Sequence, residues 1–140
     1  MPGPPNISAL LEGIQEDPNN AELHQQLGNL YLKKGMTKKA KAAYERSLDL
    51  DPCDPWTLLF MGNWHYWVDE DRKAVEYFKK AARLLPNIPA PFWALGDAYA
   101  ALGFDSLATE YYERALRIGA EDEYSKKKWR RWKKSCEVED

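Results

Sequence analysis

The chain has 140 residues, 44% of them hydrophobic, with 20 Lys and Arg against 22 Asp and Glu and a formal net charge of -2. That length and balance make one domain with a real core and argue against disorder, and no apolar run approaches the roughly 18 residues that span a bilayer. The net charge hides an asymmetry: residues 1–124 hold 13 basic and 19 acidic side chains, and residues 125–140 hold 7 and 3, so a mildly acidic body carries a basic tail.

The chain opens on MPGPP, an extended leader whose prolines fix φ and withhold donors. No basic residue precedes the short apolar run after it, which makes a poor signal peptide and points to the cytoplasm. Cys53 and Cys136 lack metal-type spacing, and the cytoplasmic reading makes them a reduced pair. Ile7, Leu10, Leu11 and Ile14 recur at i, i+3, i+4 and i+7, one face of a short helix. Asp17-Pro18-Asn19-Asn20 is a turn signal that ends it.

From there a 34-residue period governs the chain. Gly28, Gly62 and Gly96 fall in step, as do Ala40, Ala74 and Ala108, and Tyr44, Phe78 and Tyr112. Pro18, Pro52 and Pro86 close successive units, with Ala120 at the fourth such place. A fixed period of this length, with small residues at two positions and an aromatic after them, marks a helical hairpin repeat. Counting back one period sets Leu10 and Ile14 where Tyr44 and Leu48 stand, so the first helix is the second half of an incomplete unit and caps the N-terminal end.

Each full unit is expected to hold two antiparallel helices, A and B. They are predicted over 21–34 and 37–50, then 55–68 and 72–84, then 90–102 and 105–118. Gly35 and Gly103 end their A helices, since glycine reaches the left-handed region without steric cost. Asp69 holds that place in the middle unit, which predicts a turn built differently. Prolines at 55, 89 and 91 sit at A-helix starts, where a missing N–H costs nothing.

Gly28, Gly62 and Gly96 lie mid-helix, where glycine costs about 1 kcal/mol against alanine. Close backbone approach explains them, with Ala40, Ala74 and Ala108 expected to supply the matching small surface on helix B. Leu27, Met61 and Leu95, with Tyr31, His65 and Tyr99, are expected to fill the space between hairpins. These glycines are too far apart to cradle a phosphate.

At these residues the chain resembles the tetratricopeptide-repeat family. The pattern stands as His24, Leu27-Gly28, Tyr31, Gly35, Ala40, Tyr44, Ser47 and Pro52, and returns as Phe92, Leu95-Gly96, Tyr99, Gly103, Ala108, Tyr112 and Ala115. The middle unit departs at Met61, His65 and Asp69. The resemblance implies an all-α solenoid of three hairpins between an N-terminal partial helix and a C-terminal capping helix. Its expected units are a leader and cap at 1–20, repeats at 21–54, 55–88 and 89–121, and a basic capping helix and tail at 122–140.

The family is a non-catalytic scaffold, so the resemblance implies a protein or peptide partner in a concave groove lined by the A helices. Family positions place Gln25 and Asn29 there, then Trp56, Leu59, Phe60, Asn63, Tyr66 and Trp67, then Trp93 and Asp97. The middle of that groove is aromatic, which fits an apolar recognition surface, though some rings pack between neighbouring A helices on the alternative reading. Chaperone-binding members hold a C-terminal carboxylate with lysines, asparagines and an arginine. Asn29 fits that clamp, but its other positions here are Gln25, Phe60, Ala90 and Ala94, which argues against an Hsp70 or Hsp90 tail as partner.

Chemistry-bearing sets are sparse. The two histidines stand 41 residues apart, and no nucleophile, base and orienting group converge in the pattern. No catalytic role, cofactor, metal or small-molecule substrate is expected. The remaining stretch is an amphipathic helix after Gly119. On it Trp129, Trp132 and Cys136 share a narrow stripe, and Lys126, Lys127, Arg130, Arg131, Lys133 and Lys134 spread over the opposite side. Lys128 alone lies near the apolar edge. Capping of the last hairpin, with Trp129 and Trp132 on Tyr112 or Leu116, is the expected role. Contact of the basic face with nucleic acid or anionic membrane, and a homo-oligomer that hides the aromatic groove, are the alternatives.

Overall fold

A computed structural model describes residues 6–119 and 122–137; the MPGPP leader, Ala120 and the end of the tail lie outside the described residues. Helix α1 spans Ile7–Glu16, α2 Ala21–Lys33, α3 Thr37–Leu50, α4 Pro55–Trp67, α5 Asp71–Leu84, α6 Pro89–Ala101, α7 Asp105–Ile118 and α8 Glu123–Glu137. Among the described residues none of these is long and apolar enough to cross a membrane.

Short polar side chains begin α1, α2, α4 and α8. The Oδ1 atoms of Asn6, Asn20, Asp54 and Asp122 accept from the backbone N–H of Ala9, Glu22, Trp56 and Tyr124 at 2.8–3.1 Å, each satisfying a donor that the first helical turn leaves open. Helix α6 has Ile88 in that place and no side-chain cap. Pro89 and Pro91 remove two of its open donors instead.

The A-to-B turns share one construction. The N–H of Met36, Glu70 and Phe104 reaches back to the carbonyl of Tyr31, His65 and Tyr99 at 2.8–2.9 Å, the six-to-one bond of a Schellman motif. Gly35 and Gly103 take φ of 78° and 86°, and Asp69 takes 64°. The expectation of a different middle turn is therefore corrected. Aspartate tolerates the left-handed region better than most residues, and the hydrogen bonds of the turn hold it there.

Within each pair the glycine meets a ring. A Cβ at Gly28, Gly62 or Gly96 would run into the ring of Tyr44, Phe78 or Tyr112. The aromatic residue 16 positions later lies flat on bare helix backbone, so the expectation that Ala40, Ala74 and Ala108 face the glycines is also corrected. Those alanines are wholly buried, and Ala40 shares a cluster with Met61 and Trp64 of the next unit. Its small side chain lets the following A helix approach.

The largest core cluster joins α4, α5, α6 and α7, and Trp129 and Trp132 of α8 pack against it. Trp132 meets Tyr112 edge-on at 4.9 Å between ring centres, and its indole N–H donates to Thr109 at 3.0 Å. At the other end Leu10 of α1 packs with Leu27 and Ala43. The backbones of neighbouring A helices come within 8 Å, α2 of α4 and α4 of α6, whereas those of α3 and α5, and of α5 and α7, do not. A stack closer on one side than the other bends toward that side, so the A helices line a concave face.

Candidate functional site on the concave face

Side chains one turn apart on a helix share a face, and on α4 that rule gathers Trp56, Phe60, Asn63 and Trp67, with Tyr66 beside them. Trp67 is 69% exposed, Trp56 42% and Tyr66 39%. Phe60 is partly buried and stacks near Tyr44, and Leu59 is buried in the core. The open part of the aromatic set is thus Trp56, Tyr66 and Trp67. Burial first, and the Asp97 carboxylate second, push the Tyr66 phenol upward, so it stays a hydroxyl donor at neutral pH.

Asn29, Asn63 and Asp97 occupy one position in three successive units, but their bonding differs. The Tyr44 hydroxyl donates to Asn29 Oδ1 and the Tyr112 hydroxyl to Asp97 Oδ1, each at 2.5 Å. Burial raises both phenols well above their ordinary range, which keeps them donors. The equivalent ring in the middle unit is Phe78, which has no hydroxyl. Asn63 is exposed, and among the described residues no side-chain partner engages its amide.

The ends of the expected groove are occupied by the protein itself. Gln25 donates its amide to Asp54 at 3.0 Å and to Thr57 at 2.8 Å. Trp93 is 4% exposed; its indole N–H donates to Ser125 at 3.0 Å, beneath α8. The second Asp97 oxygen takes the Lys128 ammonium at 2.7 Å, and Lys128 lies 5.9 Å from the ring centres of both Trp93 and Tyr124. A cleft of about 190 Å³ remains between α4, α6 and α8, with Asn63, Tyr66, Trp93, Tyr124 and Lys128 among its walls.

The basic residues of α8 divide into two groups. Lys126 and Arg130 approach Glu123 at 3.6 and 3.8 Å. Lys127, Arg131, Lys133 and Lys134 are exposed. Among the described residues no three metal-ligating side chains gather, and Cys53 and Cys136 are both free and exposed.

The tetratricopeptide-repeat family profile matches residues 21–52, the first complete hairpin, and the other two hairpins repeat its glycine–ring contact and turn. The chain carries a tetratricopeptide repeat, and its hairpins stack as those of tetratricopeptide solenoids do. Two crystal structures of MamA are similar to it at 26% and 25% identity, each with a TM-score of 0.73. The alignments cover 80% and 81% of this chain, which spans 66% and 62% of theirs. The first tetratricopeptide domain of Spaghetti (RPAP3), bound to an HSP90 peptide, shares the fold with a TM-score of 0.76 at 21% identity, over 87% of this chain and 97% of that one. No curated protein matches the sequence.

In tetratricopeptide terms α8 is a fourth A helix. Asp122 and Ser125 stand 68 residues after Asp54 and Thr57, and they rebuild the same junction. Thr57 donates to Asp54 at 2.9 Å and Ser125 to Asp122 at 3.2 Å, while Gln25 and Trp93, also 68 apart, donate to the two hydroxyls. Asp122, Tyr124, Ser125 and Lys128 were not among the expected site residues. Their signal was present in the phase, as Asp-x-x-Thr at 54 returning as Asp-x-x-Ser at 122. The family is a protein-interaction fold, and this chain is an interaction module of it.

Proposed function

We propose that the protein is a non-catalytic adaptor whose partner lays a peptide or helix along the concave face of α4. One observation carries the reading. In a fold that buries the rings of Tyr44, Phe78, Phe92 and Trp93, the rings of Trp56, Tyr66 and Trp67 stay open on one helix face. Exposed aromatic groups gathered in this way supply large contact area at small entropic cost and dominate protein interfaces. The unengaged Asn63 amide beside them offers a donor and an acceptor to a peptide backbone. The adjoining cleft has room for one apolar side chain of the ligand.

The test is capture of partners from native lysate by the wild-type chain and by Tyr66→Ala/Trp67→Ala. Both side chains are exposed, so the variant keeps the helical circular dichroism of the wild type. Loss of an aromatic anchor weakens binding by about 2 kcal/mol, roughly thirtyfold, and the main partner is expected to disappear from the variant. Equal capture by the folded variant would remove the concave face from the function.

A further inference from the structure

We propose that the ligand of this face is an acidic segment, one that sets an apolar side chain in the cleft beside Tyr66 and a carboxylate against Arg131. The inference rests on the concave-face reading and adds the chemical class of the ligand. Two clefts meet at the Asp97–Lys128 ion pair. The first, between α4, α6 and α8, is walled by Tyr66, Trp93, Ala94 and Tyr124. The second, about 340 Å³, is walled by Tyr112, Trp132, Arg131 and Ser135, with Asp97 and Lys128 common to both. A chain crossing the ion pair would therefore pass from an aromatic pocket to a basic one.

The charge on that side is unbalanced. Lys128 is neutralised by Asp97, and Lys126 and Arg130 sit near Glu123. Among the described residues no carboxylate pairs with Arg131 or with Lys127, which lies one turn before it. An exposed guanidinium beside a hydroxyl is suited to a carboxylate, which it can hold through two parallel hydrogen bonds. The rest of the chain disfavours a polyanion. Residues 1–124 carry 13 basic and 19 acidic side chains, so a long nucleic acid would meet repulsion beyond α8, whereas a short segment can set its carboxylate at Arg131 and keep only its apolar side chain at Tyr66, where Asp97, Asp71 and Asp69 act.

Random linear peptides displayed on phage, panned against the full chain, test this without a known partner. Recovered peptides are expected to combine Asp or Glu with an aromatic or aliphatic residue. Their affinity by fluorescence anisotropy should fall about tenfold or more in Lys127→Glu/Arg131→Glu, and they should be lost by Tyr66→Ala/Trp67→Ala. Peptides that need Tyr66 and Trp67 but show no acidic excess, or keep full affinity for the charge-reversed variant, overturn the acidic ligand and leave the concave reading standing. Recovery of no peptide, or of peptides indifferent to Tyr66 and Trp67, overturns both. A single-stranded oligonucleotide that displaces the recovered peptides at lower concentration overturns the proposal in favour of nucleic acid.

Discussion

Glycine at two helical positions of this chain should respond to the same substitution in opposite ways. Gly13 lies inside α1, and a Cβ there would sit 3.5 Å from a Leu23 methyl, an ordinary contact. Gly13→Ala gains helix propensity of about 0.5–1 kcal/mol and meets no obstacle. Gly62 lies inside α4, where a Cβ would fall within the Phe78 ring, and that ring is 1% exposed. It has no space to move into, and overpacking of this kind costs about 1–3 kcal/mol or more. Set against the same propensity gain, Gly62→Ala should lose about 1–2 kcal/mol net. Urea unfolding followed by helical circular dichroism reads both, and Gly62→Ala/Phe78→Leu should recover part of the loss as a coupling between neighbours. A Gly62→Ala protein as stable as Gly13→Ala would show that the ring does not lie on the glycine.

Three further outcomes follow from the geometry. Asp69→Gly relieves a left-handed residue at a helix end and should raise stability by about 0.5–1 kcal/mol in the same urea assay; a lower midpoint would refute the shared turn. His65 is buried against Tyr77 at 5.2 Å, and burial lowers its imidazole below the ordinary value, opposed in part by Glu70. The folded state therefore resists protonation, so stability is present above about pH 6.5 and is lost as pH falls below it; His65→Phe should flatten that acid slope, and an unchanged slope would exonerate His65. Trp93→Ala removes a buried ring and the donor to Ser125, costing about 3–5 kcal/mol, and should speed hydrogen exchange in α8 more than in α1. Equal protection of α8 would show that Trp93 does not anchor it.

Much of the fold was legible because its rules are local. The period of 34, the caps and the prolines locate six helices without any knowledge of packing, and the observed ends fall within a residue of the expected ones. The crossing of each pair was not legible. Spacing shows that Gly62 needs a close neighbour, but whether Ala74 or Phe78 fills the place depends on how far one helix slides along the other. Asp69 misled because a residue type records the ease of a conformation, while three hydrogen-bonded turns of one kind determine it.

The candidate site was readable at α4 and obscured beyond it. Trp56, Tyr66 and Trp67 are open because nothing among the described residues covers them, and helical spacing is enough to group them. Trp93 shares the position of Gln25 and Leu59, but its burial depends on α8, which was expected to cap Tyr112 or Leu116 and also covers Trp93. Asn63 lacks the hydroxyl partner that Asn29 and Asp97 have, because the ring 15 residues on is Phe78, a difference that acquires meaning once the two helices are paired.

Placing a photoreactive side chain at the centre of the concave face tests the account most directly. Asn63→p-benzoylphenylalanine reports contact on α4, and Glu76→p-benzoylphenylalanine, exposed on α5, reports the opposite face. Irradiation in native lysate should cross-link the partner at 63 and not at 76, with the adduct suppressed by the acidic peptides recovered from panning. A partner cross-linked equally from both positions, or from 76 alone, would contradict binding in the groove.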